Sequence, residues 1–201
     1  MCTMTRSEPA GPRRRSAAET RTRILAVARD LFYWNGIRAT GIDRVVAAAE
    51  VAAPTLYRLW PSKDDLVVAY VAASAEGYRA WFDEAASAGD GPREQVLAVF
   101  AALAEQTQPH LCRGCPFLLA LAEYPDPGHP VHREAVAAKR WVADRFAELA
   151  AGYAKDHDGV DAAVLAAHLV LLMEGVYASV AALGAAGPAA RARDLAAALL
   201  P

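Results

Sequence analysis

The chain has 201 residues, of which 55% are hydrophobic, and a formal net charge of −2 at neutral pH. That length supports a true apolar core in one large domain or two small ones. Its Ala, Leu and Val richness, without runs of alternating β-branched residues, points to an all-α fold. Three cysteines (Cys2, Cys112 and Cys115) exclude a closed disulfide framework and suggest a reducing, cytoplasmic setting. No apolar segment follows Arg13-Arg14-Arg15, so the N-terminus does not read as a secretory signal. The charge is uneven: residues 1–70 carry 11 Lys and Arg against 7 Asp and Glu, and the remainder carries 10 against 16. A basic first part joined to an acidic remainder implies a polyanionic partner for the first part alone.

Residues 1–15, rich in Pro, Gly, Ser and Arg, read as a disordered basic arm. A first helix is predicted over 17–35, with Ile24, Leu25, Ala28, Leu31 and Phe32 on one stripe and Gly36 as a left-handed C-terminal cap. Thr40-x-x-Asp43 reads as a capping box opening a short second helix whose inward residues are Ile42, Val45, Val46 and Ala49. A turn over 50–52 leads to a third helix over about 53–60, with Pro54 in its first turn and Pro61 as its stop. Ser62-x-x-Asp65 is a second capping box, opening a long helix from Lys63 to about Ala88. After the Gly-Asp-Gly-Pro break at 89–92, helices are expected at about 93–107, 116–123, 130–154, 160–184 and 188–199.

The segment 162–186 is apolar enough to raise a membrane span, but His168 and Glu174 lie within it and no Lys or Arg cluster flanks it. Leu165, Leu169, Leu172, Val176, Val180 and Leu183 recur by three or four, so the segment reads as a buried helix at a subunit interface. No membrane contact is expected.

Two short helices joined by a tight turn, the second followed by basic residues, match a helix-turn-helix pattern. The hydroxyls of Thr55 and Tyr57 and the Lys63 ammonium suit phosphates, while Ala53, Pro54 and the Thr55 methyl suit thymine methyl groups. Spacing alone equally allows a plain helical hairpin, with Leu56 and Tyr57 in the core and Lys63 a solvated cap.

Residues 21–68, RTRILAVARDLFYWNGIRATGIDRVVAAAEVAAPTLYRLWPSKDDLVV, resemble the DNA-binding domain of the TetR (tetracycline repressor) family of bacterial transcriptional regulators. The elements that carry the resemblance are Ile24-Leu25, Leu31-Phe32, Gly36, Ala39-Thr40, Thr55-Leu56-Tyr57, Ser62-Lys63 and Leu66. The resemblance implies a helix-turn-helix domain over 16–62 and a helical ligand-binding and dimerisation domain over 63–201. It places the third helix in a major groove of double-stranded operator DNA with an inverted repeat. Thr40, Thr55, Tyr57 and Lys63 would then hold backbone phosphates with Arg58 beside the backbone, Ala53 and Pro54 would face base edges, and Arg44 belongs to the same DNA-binding set. Three positions depart from the pattern: Glu50 replaces the usual turn Gly, Ala52 the usual Ser or Thr, and Leu59 a frequent His.

For the C-terminal half, the resemblance implies a homodimer paired through its last two helices and a cavity for a small, largely apolar effector. Trp81, Phe100, Phe117, Leu121, Tyr124, Trp141, His168, Leu172 and Tyr177 are the candidate lining, each with core packing as its alternative. Cys112-x-x-Cys115, flanked by His110, His129 and His132, raises thiol or metal sensing as an alternative route of regulation. A second Cys pair is lacking, so buried thiols are the preferred reading, and neither a metal nor a cofactor is expected. No nucleophile triad, phosphate-binding Gly loop or paired acidic motif is visible, which argues against an enzyme.

Overall fold

A helix begins at Ala17 because Ser16 caps it: the Ser16 hydroxyl accepts from the Glu19 amide, and the Glu19 carboxylate returns the bond to the Ser16 amide. This helix, α1 (Ala17–Asn35), buries Ile24, Ala28 and Phe32 along one stripe. The computed structural model describes residues 16–108, 110–184 and 186–200, and the expected basic arm lies outside them. Among the described residues the fold is helical throughout: α2 (Ile42–Ala49), α3 (Ala53–Leu59), α4 (Lys63–Ser87), α5 (Pro92–Gln106), α6 (Pro116–Glu123), α7 (Pro130–Ala154), α8 (Ala162–Leu183) and α9 (Ala192–Ala198). A 3₁₀ turn, Pro188–Arg191, leads into α9. The all-α expectation holds, and the predicted helix limits hold to within a residue or two except at the last, where the helix expected over 188–199 is a 3₁₀ turn over 188–191 followed by α9 from Ala192.

Helices α1 to α3 form a small head around Leu56, Val45 and Ala49, all without exposure. The larger body centres on three rings from different helices: Phe82 of α4 meets Phe146 of α7 at 5.3 Å, and Phe100 of α5 stacks on Phe146 at 5.9 Å. Helices α7 and α8 pack along each other, and a Lys139–Glu174 ion pair links them.

By length and composition α8 is apolar enough to cross a membrane. Its charge is paired inside the fold, and Leu165, Leu169, Met173, Val176, Tyr177 and Val180 are buried in the chain's own core. The expected stripe is therefore shifted. Met173 and Tyr177 carry it where Leu172 was expected, and Leu183 is 63% exposed, because a 3.6-residue repeat rotates these positions off the core face.

Two local expectations change. Gly36 does take a positive φ, 91°, but with ψ at 146°, so it is an extended turn glycine and not a left-handed helical cap. Thr40 does not cap α2, whose N-cap is Gly41 without a side-chain bond. Instead Thr40 is wholly buried, and its hydroxyl donates to Gly36 O at 2.8 Å and lies 3.3 Å from Leu31 O. It ties the α1–α2 corner to the end of α1 and has no proton left for a phosphate. Thr40→Val keeps the shape but orphans a buried carbonyl, so thermal or chemical denaturation should show a loss of about 1–3 kcal/mol.

Candidate nucleic-acid interface and adjoining cleft

The turn between α2 and α3 is built on a left-handed residue. Glu50 sits at φ 52°, ψ 48°, the conformation expected of the glycine it replaces. Its amide donates to Ala47 O and the Val51 amide to Val46 O, which closes the helix end. Arg23 of α1 then clamps the turn, its Nε donating to Ala49 O at 2.6 Å and its guanidinium pairing with the Glu50 carboxylate. This clamp offsets part of the roughly 1 kcal/mol cost of a left-handed residue that is not glycine.

With Leu56 buried beneath it, α3 presents Pro54, Tyr57 and Arg58 outward, spaced three and four apart on one face. Tyr57 is 47% exposed, although large apolar rings are usually covered. Ala53 and Thr55 are partly exposed beside them. Arg44 on α2 is exposed and donates to Asn35 Oδ1 at 3.2 Å. Lys63 Nζ donates to Arg38 O at 3.3 Å, leaving two of its three protons free for other acceptors. The amides that open α4 are less open to an anion than their position in sequence implies. Ser62 and Asp65 satisfy each other in the capping box, and Asp64 adds a second carboxylate to the first turn. Ala52 makes no side-chain cap on α3, and Leu59 is half-buried.

Beside the head, α1 and α4 enclose a cleft of about 820 Å³, completed by the loop before α6 and by Tyr177 of α8. Of the candidate ligand residues, only Trp81 and Tyr177 line it. Phe117 lies behind, edge-on to Tyr78 at 5.8 Å, and Leu121 packs against the core. Phe100 is spent on the central ring stack, and Trp141 meets Phe82 edge-on at 5.5 Å. The Tyr124 hydroxyl donates to Asp64 at 3.1 Å, and its pKa is pushed up to about 12 by burial and the Asp64 carboxylate. His168 and Leu172 line a separate apolar groove of about 460 Å³ against Pro188, Leu195 and Leu199. The candidate set is thus divided among a cleft, a core and a groove. Tyr70 and Tyr78, on the long helix expected to floor the C-terminal domain, line the cleft, as do Tyr33, Trp34 and Gln106, which lay outside the expected set. For Tyr33 and Trp34 the signal was present: two aromatics at the end of α1, off its buried stripe.

Two ties hold the head to the body at the ends of α6. The Glu123 carboxylate accepts the Ile37 amide at 2.8 Å and the Arg38 amide at 2.6 Å. At the other end the Tyr33 hydroxyl donates to Gly114 O at 2.9 Å and accepts from the Arg113 amide at 2.7 Å. Burial pushes the Tyr33 hydroxyl up to about 12, so it stays a donor.

Cys112 and Cys115 are buried free thiols, and desolvation raises the Cys115 pKa, the opposite of what an activated thiolate needs. His129 pairs with Asp64 at 3.3 Å and His132 lies 2.8 Å from Tyr124 O, so both are engaged away from the thiols.

Comparison with known proteins fits this arrangement. The family model for bacterial regulatory proteins of the tetR family matches residues 24–70, and that for the tetracyclin repressor-like C-terminal domain matches residues 92–196. The HTH-type transcriptional regulator YjdC of Escherichia coli is 29% identical over 157 residues, covering 76% of this chain and 78% of that protein. The crystal structure of a TetR-family transcriptional regulator from Streptomyces coelicolor superposes with a TM-score of 0.79 at 36% identity, covering 91% of this chain and 93% of that one. At 11% identity, a Bacillus subtilis regulator, FadR, crystallised with stearoyl-CoA, shares the fold with a TM-score of 0.71. The protein is a regulator and not an enzyme: the chain belongs to the TetR family of DNA-binding transcriptional regulators.

Proposed function

We propose that the protein is a repressor that binds an inverted-repeat operator as a two-fold dimer and is released by a small, largely apolar molecule held in the cleft between α1 and α4. On this reading residues 16–62 are the reading head, residues 63–201 the effector and dimer domain, and the protein works in the cytoplasm, where its DNA is. The outward face of α3 carries the DNA assignment: an exposed tyrosine, a proline and an arginine on a helix rigidly backed by Leu56. Ala53 and Pro54 then face base edges, while Arg44, Thr55, Tyr57, Arg58 and Lys63 hold phosphates. Selection of bound duplexes from a random pool should return inverted repeats with half-sites about one helical turn apart, or a multiple of that. Enrichment of unpaired half-sites would overturn the reading.

Lys63→Ala should weaken binding equally on all duplexes and reduce the slope of log affinity against log salt by about one unit. Altered base preference in that variant would instead place Lys63 at a base edge.

The dimer reading rests on the apolar surface of α8 and α9. Leu171 is 68% exposed, Leu195 52% and Val164 50%, around a groove in which a Cβ built on Gly175 meets nothing. Such a patch favours burial against a second copy. Val176 and Val180 are core, so the test belongs at the surface. Gly175→Leu and Leu171→Glu should each give a folded monomer with lost operator affinity, read by light scattering and circular dichroism. A dimer that survives both changes would place the interface elsewhere.

Release is carried by the connection of head and cleft. Helix α4 starts in the head at Lys63 and lines the cleft with Tyr70, Tyr78 and Trp81, while α6 grips the head at Ile37 and Arg38. A ligand that moves either helix moves the reading heads, and coupling of this kind is typically worth about 1–3 kcal/mol. Glu123→Ala frees the head from α6 and should weaken operator binding while leaving the salt slope unchanged, because no phosphate contact is lost. A changed slope would mean that Glu123 acts through the charge of the DNA face.

A further inference from the structure

The inner wall of the cleft carries polar chemistry that its apolar lining does not need. Gln106 Nε2 donates to the Tyr177 hydroxyl at 2.7 Å. Tyr177 lies beside Tyr78, and the Tyr78 hydroxyl donates to Met173 Sδ at 2.9 Å. The acceptor of the Tyr78 proton is a thioether, the weakest acceptor available to a hydroxyl. Burial keeps both tyrosines protonated, so Tyr78 is a fixed donor. The walls are aromatic: Trp81 lies 5.1 Å from Tyr78 on α4, and Trp34 lies 5.2 Å from Tyr33 on α1. Trp34 is 45% exposed and Leu111 54% exposed, and both line the cleft, so large apolar area is left in water where a ligand can cover it. Arg21 and Arg29 line it against a single carboxylate, Asp30, which disfavours a cation.

We infer that the cleft takes a neutral, planar aromatic molecule bearing a carbonyl-type acceptor oxygen, stacked on its indole and phenol rings with the oxygen on Tyr78. This rests on the reading above that the cleft is the effector site, and it adds the chemical class. A carbonyl accepts the Tyr78 proton better than sulfur does.

Calorimetry on the full chain with 9-fluorenone and fluorene tests this directly, since the two differ only by the carbonyl. Fluorenone should bind about fivefold or more tightly than fluorene, the ratio expected of one neutral hydrogen bond. Tyr78→Phe should remove that preference and leave fluorene affinity within about twofold, because the ring stays in place. Trp34→Ala should weaken both compounds alike. Equal affinities in the unaltered protein, a preference that survives in Tyr78→Phe, or no binding of either compound would each overturn the inference. Operator binding measured by gel shift on the same preparation separates the two readings. Retained operator binding with no discrimination between the compounds removes only the ligand class. Discrimination without release of the operator keeps the cleft chemistry and removes the effector role proposed above.

Discussion

The orientation of the head rests on a carboxylate supplied by the body. Glu123, the last residue of α6, is the acceptor for two consecutive amides in the turn between α1 and α2. Backbone amides in a partly buried corner need partners, and a charged acceptor is stronger than a neutral one. The residue before these amides is glycine for a local reason: Gly36 takes φ 91°, a backbone conformation that L side chains rarely adopt. Thr40 completes the corner from inside by donating to Gly36 O. One end of the head is therefore fixed by a residue of the body, and the head's orientation is a property of both.

That fixed corner bears on the departures from the family pattern. Without a hydroxyl at Ala52 or a ring nitrogen at Leu59, the DNA face has fewer groups to hold phosphates. What remains is a rigid presentation of α3, backed by Leu56 and by the Arg23 clamp on the Glu50 turn. Precise placement lowers the ordering cost of binding and so recovers part of what the missing contacts withhold.

Much of the architecture was legible from local sequence. Ser62-x-x-Asp65, Gly36, the proline stops and the three-to-four spacing of apolar residues each encode a feature that needs only nearby residues. The left-handed Glu50 was legible only through the family resemblance, which places a turn glycine at that position. Thr40 was not: a Thr-x-x-Asp pattern resembling the Ser62-x-x-Asp65 cap turns inward at a corner, and tertiary packing decides between the two. Glu123 and Tyr33 were invisible for a simpler reason. Their partners lie more than 80 positions away, and no periodicity reports that distance. The aromatic residues were separable only by knowing which helix each one faces, so Phe100 was indistinguishable from Tyr78 until the helices were placed.

The pair between Lys139 and Glu174 has a consequence for α8. A helix with leucine and alanine on every side carries no strong preference for which side faces inward, since rolling it by one residue buries nearly the same apolar area. Glu174 breaks that degeneracy, because only one roll brings it to Lys139 on α7. Its second oxygen has no hydrogen-bond partner, so the pair adds little to net stability. It acts as a key in a keyway: the angle that seats the charge is also the angle that leaves Leu171 and Gly175 on the outer surface. A single, partly buried ion pair thereby decides which surface this chain shows to another molecule.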